Sequence, residues 1–339
     1  MKRIHHRKGL EVTGAIIIVG AEVPQSTVPP ALPASDPTHA ALPLGCVEVL
    51  GRSVVDRILD ALHRSAFGRV VVLADKANAW PVEMNHDRRA PHLVQDPWGA
   101  VAVELQSCKA AGIDTVVLIR PSAYAEINVA DLLQCHRDEN APITRAFLDK
   151  RPLDVWVVDA SRLDSSEDLV PRLLSDECTA YPVSGYVNFL DHPRDLRRLV
   201  VDCFNNTCRL RPEGQEVRPG VWMNEGVDVH RGARIVAPAF LGRGSRIEQQ
   251  CLITRCSNVE ANCHVDYGTV IEDSSVLPNT YVGIGLDISH SIVHGDTLLS
   301  LEREVTLQIS DHGVIRSNRV LRREQYSQPQ SALRMAGTQ

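Results

Sequence analysis

Thirteen histidines and nine cysteines are the residues of this chain whose side chains best suit proton transfer, metal ligation or redox chemistry. Four of the histidines, His230, His264, His290 and His294, share one stretch with Cys251, Cys256 and Cys263. A neutral imidazole in such a place can deprotonate an acceptor hydroxyl, the step that acyl transfer needs. Solvated turn positions are the plainer reading of these histidines, and Glu272, Asp273 and Asp287 read as solvated corners beside them. The cysteines lack the paired spacing of a zinc site, and an odd total does not close into a disulfide framework. Cys251 and Cys263 fall where a repeating pattern places only small residues, so they read as small core residues in a reducing cytoplasm.

That pattern is the strongest signal in the chain. Every sixth residue from Val229 is a branched aliphatic: Val229, Ile235, Leu241, Ile247, Ile253, Val259, Val265, Ile271 and Leu277. Four places further on in each unit stand Ala233, Ala239, Ser245, Cys251, Ser257, Cys263, Thr269 and Ser275, all small. An α-helix recurs at 3.6 residues and cannot use a period of six. A parallel β-helix can, with one short strand and one corner per unit and one aliphatic pointing inward. The spacing therefore predicts a hexapeptide-repeat solenoid whose end after Leu277 needs a cover. Ile288 to Val293, Leu298 to Ile309, or a second subunit could supply it.

The first half has a different rhythm. Val12 to Val19 is an apolar run of strand length, and Val70 to Leu73, Thr115 to Ile119 and Val155 to Val158 repeat the theme. Between them, Ser53 to Ala66, Trp98 to Ala111 and Val129 to Arg137 read as helices, with Leu196 to Phe204 as a fourth. Alternation of this kind predicts three layers, a mostly parallel sheet with helices on both faces. Residues 20 to 50 form a long Pro- and Ala-rich connection. Arg209 to Pro219 reads as a hinge, and Arg316 to Gln339 as a frayed polar tail with a possible basic contact for a partner.

Composition narrows the function classes. The net charge of −6 offers no global field for nucleic acid, and no apolar run approaches a membrane span. The basic start, Met1 to Lys8, and the short apolar run after it read as a buried first strand rather than a signal peptide, because Glu11 interrupts them.

Three stretches carry a resemblance. Val47 to Val55, VEVLGRSVV, is similar to the P-V-x-G-[RK]-P-[LM]-[LI] segment that leads into the first helix of nucleoside-diphosphate-sugar pyrophosphorylases, the mannose-1-phosphate guanylyltransferase type in particular. Gly185 to Leu196, GYVNFLDHPRDL, resembles their G-Y-W-x-D-I-G-T-P-E-D-Y. Pro219 to Trp222, through Ala233 to Ile235, resembles their approach to the solenoid. The resemblance implies a Rossmann-like nucleotidyltransferase domain over 1–208, a linker over 209–220, a left-handed β-helix of three units per coil over 221–313, and a polar tail over 314–339. It also implies a reaction, in which a sugar-1-phosphate oxygen attacks the α-phosphorus of a nucleoside triphosphate and expels pyrophosphate. Such a transfer depends on positioning and charge neutralisation: a glycine-rich loop, an Arg and a Lys, and carboxylates holding Mg²⁺.

By resemblance, the substrate-binding candidates are Gly20, Ala21, Gly99, Arg120, Asn188 and Asp191. The family's charged groups are replaced. Gly20-Ala21-Glu22 stands for G-x-G-[TS]-R, and Leu44 stands where the lysine belongs. Ala21 to Leu50 contains no Lys or Arg. Arg120-Pro121-Ser122 and Phe189 occupy the two metal-carboxylate places, with Asn188 and Asp191 near by and Lys76 and Arg52 as further cations. The expectation is a cytoplasmic, non-catalytic or regulatory relative in sugar-nucleotide or surface-polysaccharide metabolism. It would bind a nucleotide or sugar nucleotide and form a homo-oligomer or join a partner enzyme. Two alternatives stay open: an active nucleotidyltransferase using Mg²⁺ at a rearranged site, and a hexapeptide acyltransferase working from the solenoid.

Overall fold

The computed structural model describes residues 12–20, 31–32, 42–65, 67–76, 91–163, 169–175 and 178–318. The chain divides into two compact units, residues 1–47 with 53–196, and residues 48–52 with 197–339.

The first unit is built on a seven-stranded sheet. Its strands are β1 (Thr13–Val19), β2 (Phe67–Asp75), β3 (His92–Val94), β4 (Thr115–Ile119), β5 (Ile143–Leu148), β6 (Arg151–Asp159) and β7 (Thr179–Pro182), in the order β7-β5-β6-β4-β1-β2-β3. All neighbours are parallel except β6, which runs antiparallel to both β4 and β5. The apolar run of β1 is central because both its faces are covered. Ile16 and Ile18 pack with Val101 and Leu105 of α2 (Pro97–Ala110) and with Leu173 of α4 (Leu169–Leu174). Ala15, Ile17 and Val19 pack on the other side with Val55 and Leu62 of α1 (Val54–Arg64) and Leu132 of α3 (Val129–Asp138). Alternate residues of one strand thus feed two cores, the arrangement expected of a strand buried on both faces. Each of the first three helices starts on a side-chain cap: Ser53 in a reciprocal box with Asp56, Asp96 on the Gly99 amide, and Asn128 on Ala130 and Asp131.

The second unit is a three-faced parallel β-helix. Asp228–Val229 pairs with Arg246–Ile247, then with His264–Val265 and Thr280–Val282. Arg234–Ile235 begins a second face, and Val221–Met223 a third. One coil is eighteen residues, as in Asp228 opposite Arg246. After Ile271 the coil shortens to seventeen, with Val259 opposite Val276 and Ile271 opposite Ile288. One unit between Ile271 and Val276 is therefore five residues long. Val276, not Leu277, takes the ninth stacking position, and Val282, Ile288 and Val293 continue the stack. Leu277 is buried but lies outside that aliphatic stack. Seven of the expected nine are buried in the stack, and Val229 is half-buried in the first coil.

The corners explain the small residues. Ser257 Oγ accepts from the Ser274 amide, and Ser274 Oγ from the Ser291 amide, each one coil on. Ser274 rather than Ser275 therefore continues this column, a second consequence of the missing residue. The Cys251 and Cys263 thiols donate to carbonyl oxygens of the next coil, Asp266 and Leu277, each at 3.0 Å. Burial pushes both thiols above their ordinary pKa. All nine cysteines are free. Gly226, Gly244, Asn262 and Asn279 form a corner column with positive φ, a conformation that glycine and asparagine tolerate best.

On two of the three faces the chain's own later strands continue past the last parallel coil. Thr297–Ser300 and Val305–Gln308 extend one face antiparallel, and Ile315–Ser317 runs antiparallel to Thr280–Val282, placing Ile315 in the core. Order thus extends into the stretch expected to fray from Arg316, while residues 319–339 lie outside the described ones. The expected hinge is also structured: Gln215–Arg218 pairs antiparallel with Val221–Met223, and Cys208 and Leu210 are buried.

Candidate functional site

The carboxyl ends of β1 and β4 open on a small cavity in the first unit. Gly20 follows β1 there with φ +76, and Arg120, Pro121 and Ser122 follow β4. Pro43 to Cys46 and Leu190 complete the lining. The fold therefore brings Gly20 and Arg120 to one cavity. Ala21 lies outside the described residues.

The described residues around these two do not form a phosphate cradle. Leu44, at the place of the lysine, is 2 % exposed and lies in a short 3₁₀ turn over Leu44–Cys46. A Cβ on Gly45 would overlap the Pro121 carbonyl oxygen, so this turn lies directly on the segment after β4. Burial also pushes the Cys46 thiol up to about 12, a protonated group with no nucleophilic character. Among the described residues, the lining of this cavity is apolar apart from Arg120 and Ser122.

Arg120 is engaged by a partner that sequence reading missed. Its Nε and Nη2 donate to Asp154 Oδ2 at 2.9 and 2.5 Å, and Ser122 Oγ donates to the same oxygen at 2.6 Å. Arg145 Nη2 donates to the other oxygen at 3.2 Å, its Nε to the Leu153 carbonyl, and its guanidinium lies 5.0 Å from the Trp156 ring. Asp154 is thus a buried carboxylate shared by two arginines. Desolvation lowers the Arg145 pKa, partly offset by Asp154. The available signal was a lone carboxylate directly before the apolar run Val155 to Val158.

The remaining candidates lie apart from this cavity's lining. Asn188 is buried, its Nδ2 donating to the Asp195 carbonyl at 3.0 Å, and among the described residues its Oδ1 has no donor. Asp191 is ion-paired to Arg151 at 2.6 Å, and Arg151 stacks 3.7 Å from the centroid of Phe189. Gly99 serves its own helix: its amide donates to Asp96 Oδ1 at 3.0 Å, and a Cβ would overlap that carboxylate. Lys76 and Arg52 are not among the residues lining the cavity, and Arg52 belongs to the second unit, ion-paired with Glu213 at 3.4 Å.

The described candidate residues do not fit Mg²⁺. Both oxygens of Asp154 are taken by guanidinium and hydroxyl donors, and an Asp191 oxygen by Arg151. No group of three His, Cys, Asp or Glu comes together among the described residues.

The four solenoid histidines are spread over the second unit. His230 accepts from the Gly232 amide in a turn, whereas His264 and His294 lie on strands. His290 is exposed, with Nδ1 2.6 Å from Asp273 Oδ2. Asp273 is not simply a solvated corner, since its other oxygen accepts from the buried Arg197 at 2.7 Å. Glu272 pairs with Arg255 at 3.0 Å.

No known protein-family model matches the chain, and no curated protein matches it. The architecture, an α/β domain followed by a repetitive parallel β-helix, is consistent with a nucleotidyltransferase-like fold joined to a hexapeptide solenoid. No described helix is long and apolar enough to cross a membrane.

Proposed function

We propose that this protein is a non-catalytic or regulatory relative of the sugar-nucleotide pyrophosphorylases, acting in sugar-nucleotide or surface-polysaccharide metabolism in the cytoplasm. One observation carries the reading. The cation that the fold brings beside Gly20, Arg120, is held by the buried Asp154, and the neighbouring lysine position is the buried Leu44. Phosphoryl transfer depends on positive groups already in place around the phosphates, each contributing a few kcal/mol to the barrier. A guanidinium committed to a buried carboxylate supplies little of that field. Losing two such groups costs on the order of 10⁴-fold in rate.

The protein would act by binding a nucleotide or sugar nucleotide, or a partner enzyme, rather than by making one. A thermal-shift panel of nucleotides and sugar nucleotides, with and without Mg²⁺, tests binding, since a ligand specific for the folded state raises the melting point by mass action. Pyrophosphate release from each nucleoside triphosphate with mannose-1-phosphate or glucose-1-phosphate tests catalysis. The expected result is stabilisation without turnover. Turnover near about 1 s⁻¹ that disappears in Asn188→Ala or Asp191→Ala would replace this reading with an active enzyme. Stabilisation by acyl-CoA alone would instead favour an acyltransferase.

A further inference from the structure

Glu260 is fully buried in the β-helix unit, yet it faces the backbone of a segment that comes from more than two hundred residues earlier. Its Oε1 accepts from the Leu50 amide at 2.7 Å and its Oε2 from the Gly51 amide at 2.9 Å. Asn258 Nδ2 donates to Oε1 at 2.6 Å, and Ser275 Oγ holds Asn258 Oδ1 at 2.6 Å. The turn it grips has positive φ at both Leu50 (54) and Gly51 (89). Leucine is ill suited to that region, so the turn needs an external restraint. Glu48 stands at the start of the same segment and accepts from the Ala261 amide at 3.4 Å.

We propose that Glu260 is a proton-operated latch: its protonated form holds residues 48–52 in the β-helix unit, and its ionisation against Glu48 loosens them. The ionisable and charged groups around it are accounted for by element. The gripped segment brings Glu48 and Arg52, and Arg52 is turned to Glu213. The coil of Glu260 itself brings Cys263 and Cys256. The helix Pro193–Phe204 brings Arg197, whose Nη1 reaches Asn258 Oδ1 at 3.4 Å and whose Nη2 is neutralised by Asp273 on the next coil. The three N–H donors favour the anion. Burial and the Glu48 charge weigh more and raise the Glu260 pKa to about 8. The latch thus titrates within a range that a cell or a growth medium reaches, while an exposed glutamate would not.

The test is hydrogen exchange at the Leu50 and Gly51 amides in the full-length chain, with intrinsic exchange rates divided out. Protection should fall by about tenfold or more between pH 6 and pH 9.5. In Glu260→Gln, which is neutral at every pH and keeps a carbonyl acceptor, protection should stay flat. Glu48→Gln, a second variant in case the first fails to fold, removes the like charge that helps raise the Glu260 pKa, so Glu260 ionises at less cost and the fall between pH 6 and pH 9.5 should shrink and end at lower pH. Equal wild-type protection at both pH values overturns the latch. So does an equal fall in wild type and Glu260→Gln, or a Glu48→Gln profile that matches wild type.

Discussion

Asp154 shows how one side chain can decide what its neighbours are able to do. Two guanidinium groups and a hydroxyl meet its two oxygens in a largely buried place. Removing one partner of such a cluster leaves an uncompensated charge out of water, which costs about 3–5 kcal/mol. Asp154→Ala should therefore lower stability by about that amount in urea titration, whereas a surface carboxylate such as Asp191, half-exposed beside Arg151, should cost less than about 1 kcal/mol. Leu44→Lys is the complementary case. It restores the charge that the resemblance lacks, but at a site that is 2 % exposed and packed under the cavity. The variant should fold less stably by several kcal/mol, and calorimetry of wild type and variant reads it directly.

At the scale of elements, the β-helix depends on identical positions stacking coil upon coil. Ile253 lies between Ile235 and Ile271 with no exposed surface. Ile253→Asp would bury an unpaired charge within that stack and should unfold the second unit at ambient temperature, seen as lost β-sheet circular dichroism and raised protease sensitivity. The short unit between Ile271 and Val276 is tolerated because the shift occurs at a corner, after which pairing resumes seventeen residues on. Gly45 makes the corresponding demand in the first unit. Gly45→Ala would force its turn off the Pro121 carbonyl, at a cost of about 1–3 kcal/mol.

For the whole molecule, the sign of the pH dependence follows from Glu260. Its pKa is raised from 4.5 to about 8 on folding. The folded state holds the proton more tightly, so the contribution is fully present below the unfolded value and is lost as pH rises through the folded one. The urea midpoint of the second unit should fall between pH 5 and pH 9, and Glu260→Gln should flatten that slope. Association is a second property of the whole. Two faces of the far end are extended by the chain's own strands, but among the described residues the outer edges of Asp228–Val229, Arg234–Ile235 and Asp287–Ser289 pair with no further strand. Open edges of this kind favour self-association, so light scattering should return a multiple of 37.4 kDa. A mass of one chain at micromolar concentration would place the homo-oligomer out of consideration.

Both units were legible in the residues alone because each rests on a repeated local rule. A period of six with aliphatics inward has one common solution, and apolar runs alternating with amphipathic helices have another. The missing residue after Ile271 was not legible, since Ser274, Ser275, Val276 and Leu277 are all compatible with either register. Only pairing with the coil before chose Val276. The antiparallel course of β6 escaped for a similar reason: its apolar run is equally compatible with either direction. The candidate site was half legible. The sequence placed Gly20 after the first apolar strand and Arg120 after the third, but only the parallel pairing of β1 with β4 brought them to one cavity. That Arg120 is bound to Asp154, and that Glu260 grips Leu50 and Gly51, depends on partners 34 and 210 residues away. No local pattern encodes such pairs; a buried charge acquires its partner only when the fold has closed around it.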